Sequence, residues 1–190
     1  MIEFHPAAFM YRVEYHRLRF LVVDDNTYMR RIVKTLLHGF GAREVFEAED
    51  GAAALDAFAS HYPDIVFTDW EMPLINGIDM AKLMRCSDNS VNPYVPIIMV
   101  TVHSERHRVI EARDAGITEF LVKPLSAQVI HQRVLNVIAQ PRPFIRTTTY
   151  FGPDRRRTKA TEYNGPERRA GGHAELIAPR KLAAGLVQEG

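Results

Sequence analysis

Phe20-Leu21-Val22-Val23-Asp24-Asp25-Asn26 is a run of four apolar residues that ends abruptly on two carboxylates and an amide. The apolar run suits a short buried strand, and Asn26 is placed to cap a helix. That helix is written downstream, where Met29, Ile32, Val33, Leu36 and Leu37 recur at helical spacing until Gly39 and Gly41 close it. The order of apolar run and helical stretch then repeats. Glu44 to Ala48 alternates as an edge strand does, and the Ala-rich stretch from Gly51 to Ser60 follows. Ile65-Val66-Phe67-Thr68 suits a central strand and ends on Asp69; the loop Glu71-Met72-Pro73-Leu74 leads to a helix over Gly77 to Met84. Pro96 to Val100 is the fourth strand, with Thr101 at its end and a helix expected between a Ser104 cap and Gly116. Glu119-Phe120-Leu121-Val122 is the fifth, ending at Lys123-Pro124 before a last helix over Ser126 to Ala139. Such alternation predicts βαβ units and a parallel sheet.

An open parallel sheet binds ligands at the carboxyl ends of its strands. Those ends carry Asp24 and Asp25, Asp69, Thr101 and Lys123. Three carboxylates converging without compensation would repel and raise one another's pKa, so the set implies a bound cation. Mg²⁺ is the natural one, because it takes oxygen ligands and is held by one or two carboxylates together with phosphate oxygens. An ionised Asp69 is then a competent nucleophile that forms an aspartyl phosphate. The cation and Lys123 neutralise charge on the transferring group. Thr101 offers a hydroxyl that can follow a phosphoryl oxygen, and Phe120 lies where a ring can move in behind it.

Four blocks carry a resemblance: Leu21 to Asn26, Asp69-Trp70-Glu71-Met72-Pro73 with Gly77, Ile98 to Thr101, and Phe120 to Pro124. In that order they resemble the receiver domain of bacterial response regulators, over about residues 18–139. The resemblance implies a flavodoxin-like, doubly wound α/β fold with a five-stranded parallel sheet of order 2-1-3-4-5. It implies a response regulator of a two-component phosphorelay, with Asp69 as phosphoacceptor from a sensor histidine kinase or phosphotransfer protein. Asp24, Asp25, Asp69 and the main-chain carbonyl of Glu71 would hold Mg²⁺. Thr101 and Lys123 would take the phosphoryl oxygens, Thr101 and Phe120 would form the switch, and the Lys123-Pro124 peptide would be cis. Signalling would run through phosphorylation-dependent protein contacts with a downstream target, a homodimer among them. Chemistry would be confined to the protein's own phosphorylation and dephosphorylation. Two positions depart from the common pattern. Val102 stands where a small residue is usual and narrows the approach to Asp69, while Glu71 and His103 occupy positions that tune phosphoryl loss.

Rival readings remain at this level. Haloacid-dehalogenase phosphatases also phosphorylate a strand-end Asp, but place a second Asp where this chain has Glu71, and leave Asp24-Asp25 unexplained. A scaffold or adaptor that takes no phosphate is the second alternative. His103 and His107 have metal-compatible spacing but no evident third ligand.

With 190 residues, 46% of them hydrophobic and 25% charged, the chain has the composition of a folded protein and room for one domain with appendages. Its single cysteine, Cys86, excludes an intrachain disulfide. No apolar run reaches the roughly 18 residues of a membrane span, and the N-terminus lacks a signal-peptide core, so a cytoplasmic protein without membrane insertion is expected. Residues 1–17 form an N-terminal extension whose Phe4, Phe9, Met10, Tyr11, Val13 and Tyr15 are too apolar for a solvated tail.

Residues 18–139 form the receiver, and 140–190 a basic tail read as flexible. Up to Ala139 the chain holds 14 Lys/Arg against 18 Asp/Glu, and beyond it 10 against 5, so a basic arm follows an acidic body. The arm repeats Tyr-x-Gly-Pro-acid-Arg-Arg, at Tyr150 to Arg156 and Tyr163 to Arg169. Its pairs Arg155, Arg156 and Arg168, Arg169 suit an acidic partner, the body itself, or the phosphates of a nucleic acid or nucleotide. Interspersed acids and the lack of a helix-turn-helix argue against nucleic acid. A short helix is expected over Leu182 to Val187.

Overall fold

In a computed structural model, which describes residues 11–86, 90–155, 175–178 and 186–189, the chain begins with β1 (Tyr11–Val13) and a 3-10 turn at Tyr15–Arg17. The alternation follows: β2 (Arg19–Val23), α1 (Thr27–Gly39), β3 (Glu44–Ala48), α2 (Gly51–His61), β4 (Ile65–Thr68), α3 (Gly77–Arg85), β5 (Ile97–Thr101), α4 (Arg106–Asp114), β6 (Glu119–Val122) and α5 (Ala127–Ala139). The five strands pair in parallel in the order β3-β2-β4-β5-β6, which is 2-1-3-4-5 counted from β2. The expected doubly wound sheet is present.

Side chains alternate across a strand, and the core splits accordingly. Phe20, Val22, Phe67, Ile98 and Val100 face Val33 and Leu37 of α1 and Ile130 and Val134 of α5. Leu21, Val23, Val66, Ile97 and Met99 face Ala54 and Phe58 of α2 and Ile78, Met80 and Met84 of α3. Covered on both faces, β4 and β5 are buried at every residue, which is why their sequences read as unbroken apolar runs. The edge strand β3 is only partly covered, with Val45 and Phe46 half-buried against opposite core faces and Glu44 and Glu47 exposed.

Caps fix where the helices begin. Asn26 accepts from the amides of Tyr28 and Met29, Asn76 from Asp79, and Ser126 from Val129. Ser104 does not cap α4. The extended residue before its first turn is Glu105, so the Ser104 hydroxyl lies one position too early.

Both extensions contribute to the fold. β1 pairs antiparallel with β10 (Val187–Glu189), and the Glu14 amide donates to the Leu186 carbonyl at 2.9 Å. Val187 is therefore a strand residue rather than the end of a helix; Leu182 lies outside the described residues. Tyr15, 3% exposed, packs against Phe20, Phe40 and His131, with its hydroxyl 2.8 Å from His131 Nδ1. Phe4, Phe9 and Met10 lie outside the described residues.

After α5 the chain differs from the flexible arm expected from residue 140. β7 (Phe144–Arg146), β8 (Phe151–Pro153) and β9 (Glu175–Ile177) form an antiparallel sheet of order β8-β7-β9. The cause is apolar mass that charge counting hides: Phe144 and Phe151 pack with Tyr94 of the body at 5.1 and 5.4 Å between ring centres. Arg156, Arg168 and Arg169 lie outside the described residues, as does the whole second copy of the repeat.

Candidate functional site

Each candidate side chain sits at the carboxyl end of a strand because the parallel register brings those ends together. Val23 pairs with Thr68 and Thr68 with Met99, so Asp24 and Asp69 lie side by side, with Thr101 two residues past Met99 on the next strand. The Asp69 amide donates to the Val23 carbonyl at 2.8 Å, continuing the ladder beyond the strands. One carboxylate oxygen from each of Asp24, Asp25 and Asp69 falls within 4.8 Å of the others. Among the described residues this is the one cluster of three such groups; His103 and His107 do not join one.

Lys123 reaches the cluster from the end of β6. Its Nζ donates to Asp69 Oδ2 at 2.6 Å and to Asp24 Oδ2 at 3.0 Å. The other oxygens are also engaged, Asp24 Oδ1 by the Asn26 amide at 2.8 Å and Asp69 Oδ1 by the Trp70 amide at 2.6 Å. Burial pushes the Asp24 carboxyl above the usual carboxylate range, against the Asn26 amide and Lys123, which pull it down. Lys123 loses hydration too, but its bonds to Asp69 and Asp24 outweigh the loss and hold it above the usual lysine range. The inequality follows from exposure: the Asp24 side chain is 6% exposed and that of Lys123 15%, so one shared ammonium returns less than Asp24 gave up.

Three carboxylates to one ammonium leave excess negative charge on a set of oxygens. That donor set fits a hard divalent cation, and Asp25, exposed at its rim, leaves the approach open.

Thr101 is fully buried, its hydroxyl accepting from the His103 amide at 3.2 Å and its carbonyl from the Lys123 amide at 2.8 Å. It is thus coupled to the lysine through the backbone. Phe120, on β6 beside Met99, is half-buried against the core face that carries Trp70. The Lys123-Pro124 peptide is cis. Val102 is 67% exposed and points away from the packed interior. Glu71 does not stand alone at the rim: its Oε1 lies 3.0 Å from His103 Nε2, joining the loop after β4 to the loop after β5.

Gly77 opens α3 under a tight steric limit. A Cβ there would lie 1.9 Å from the Asp69 carbonyl oxygen, and the Gly77 amide donates to the Trp70 carbonyl at 2.9 Å. Two supporting arginines were not visible in the sequence pattern. Arg30 of α1 donates to the carbonyls of Asp24 and Asp25 at 2.7 and 3.3 Å, and Arg108 of α4 lies over the Trp70 ring at 5.0 Å. Only the helical offset of Arg30, one turn past Asn26, could have suggested the first; nothing local marks the second.

Comparison with known proteins places these features. The family model described as response regulator receiver domain matches residues 20–135. Chemotaxis protein CheY of Pseudomonas aeruginosa is 38% identical over 117 residues, 62% of this chain and 93% of that protein. Among solved structures, Vibrio cholerae chemotaxis protein CheY4 is 28% identical with a TM-score of 0.59, covering 63% of this chain and 98% of that one. A CheX-CheY complex with BeF3 and Mg²⁺ from Borrelia burgdorferi is 28% identical with a TM-score of 0.57, covering 63% of this chain and 88% of that one.

Proposed function

The chain belongs to the response regulator receiver domain family, and on that premise we propose that it is a switch set by phosphorylation of Asp69. The observation that carries the reading is Lys123 Nζ, 2.6 Å from Asp69 Oδ2 and 3.0 Å from Asp24 Oδ2, beside a cluster of three carboxylates. Asp69 attacks phosphorus of a phosphohistidine on a sensor histidine kinase or phosphotransfer protein; the O–P bond forms as the N–P bond breaks, and the imidazole leaves with the electron pair. Asp24, Asp25, Asp69 and the main-chain carbonyl of Glu71 would hold Mg²⁺, which when bound would lend positive charge to the phosphoryl oxygens. Lys123 exchanges its bond to Asp69 for one to a phosphoryl oxygen. The Thr101 hydroxyl turns toward another, and Phe120 moves into the space behind it.

The phosphorylated form then signals from the cytoplasm through contacts with a downstream protein, with self-association as one form of contact. The only reaction assigned to it is its own gain and loss of phosphate. Among the described residues no helix is long and apolar enough to cross a membrane.

Trp70, the single tryptophan, follows Asp69 directly and reports on it. Its fluorescence is expected to change saturably with Mg²⁺, and again when beryllofluoride is added as a phosphoryl mimic. The second change should vanish in Asp69→Asn. A beryllofluoride response that survives this substitution would remove Asp69 as the acceptor.

A further inference from the structure

The tail repeat is the feature that the switch does not absorb, and its first copy is built as a hook. The Tyr150 hydroxyl donates to the Pro153 carbonyl at 2.8 Å, and the Arg155 guanidinium lies over the Tyr150 ring at 3.9 Å. Gly152 has no room for a side chain: a Cβ would meet Tyr150 Oη at 2.6 Å and the Gly116 Cα at 3.1 Å. Three of the shared residue types, Tyr, Gly and the first Arg, therefore hold the hook in shape, closed on the Pro153 main-chain carbonyl.

The hook seats at the amino end of the sheet, opposite Asp69. Arg155 Nε lies 3.3 Å from Asp114 Oδ1 at the end of α4, and Gly152 rests on Gly116. Beneath it Arg85, 4% exposed, donates to the carbonyls of Gly116, Val95 and Pro93 and faces the Phe144 ring at 5.2 Å. This foot offers one Asp114 and one Gly116 surface, whereas the chain carries two copies of the hook sequence.

We propose that the foot is a recognition site for Tyr-x-Gly-Pro-acid-Arg, and that Tyr163-Asn164-Gly165-Pro166-Glu167-Arg168 is its second ligand, an alternative occupant to the first copy. Every residue type that shapes the hook and reaches Asp114 recurs in the second copy. The difference is at the second position, where Phe151 meets Tyr94 edge-on and packs against Phe144, and the second copy has Asn164. That change and a tether from α5 about twice as long favour the first copy, the tether by roughly threefold. One site with two ligands leaves one copy free to engage a like foot elsewhere, while the other keeps Arg85 covered.

The test uses a full-length acceptor with both copies disabled, Tyr150→Ala, Arg155→Ala, Tyr163→Ala and Arg168→Ala, and labelled peptides of residues 148–157 and 161–170 followed by fluorescence anisotropy. Both peptides should bind saturably, the second about tenfold more weakly for want of the aromatic contact. Asp114→Arg in the acceptor should abolish both, and the second-copy peptide carrying Arg168→Asp should bind again. Disabling only the first copy should give weaker peptide binding than disabling both, because the chain's own second copy competes. Should the fourfold variant not unfold cooperatively, Arg155→Ala serves instead, since it removes the guanidinium of the first copy that reaches Asp114. Binding of the first peptide without the second, binding of neither, or indifference to Asp114 would each overturn the proposal.

Discussion

Gly77→Ala tests how tightly the fold and the acceptor are joined. The added methyl would sit 1.9 Å from the Asp69 carbonyl oxygen, while an ordinary carbon–oxygen contact is about 3.3 Å. The start of α3 and the Asp69 backbone must therefore separate by more than about 1 Å. Overpacking of this kind costs about 1–3 kcal/mol, and loss of the Gly77–Trp70 hydrogen bond adds about 1 kcal/mol. Together they lower stability by roughly 2–4 kcal/mol, or about 10–20 °C in melting temperature for a domain of this size. The movement also carries Asp69 away from Lys123, and a misplacement of that size costs about a hundredfold in rate. Calorimetry gives the first number and phosphoramidate labelling the second. A variant within about 2 °C of the parent (less than about 1 kcal/mol) and labelled at a similar rate would refute the argument from space.

Other substitutions probe the site's charge and its rim. Asp24→Asn should stabilise the protein at neutral pH without Mg²⁺, since burial opposes the ionised carboxyl. A raised folded-state pKa means that wild-type stability rises as pH falls through it, so the advantage should vanish in acid; calorimetry across pH decides, and an unchanged advantage would contradict the burial argument. Glu71→Ala and His103→Ala should each alter the decay rate of the phosphorylated form, and the double variant should be non-additive because the two side chains meet at 3.0 Å. Unchanged decay in both single variants would remove that role. Arg85→Ala should cost about 3–5 kcal/mol by leaving buried carbonyls without donors, and Arg85→Lys should recover little because an ammonium cannot match the fork. Full recovery by lysine would show that charge alone suffices.

The parallel body was legible because its signals are local and consistent. β4 and β5 are buried on both faces and read as apolar runs, Asn26 caps α1 where its side chain predicts, and the strand ends carry Asp24, Asp69, Thr101 and Lys123. The residues that support the site were less legible. Arg30 acts on main-chain carbonyls and Arg108 on a ring 38 positions away, relations with no sequence period. The arm after Gln140 was less legible over residues 144–155, because its basic charge outweighs two aromatic residues, Phe144 and Phe151, whose partner Tyr94 lies in the folded body. Tyr15 gave a fair signal that the N-terminal extension packs, but not that its partner would be His131, 116 residues on.

The central claim is that Asp69 takes the phosphoryl group. The most direct measurement is intact-mass spectrometry after incubation with Mg²⁺ and phosphoramidate, repeated with an active histidine kinase as donor. One labile phosphoryl group on the wild type, absent from Asp69→Ala and requiring Mg²⁺, is the predicted result. No adduct from either donor, or an adduct that persists in Asp69→Ala, would contradict it.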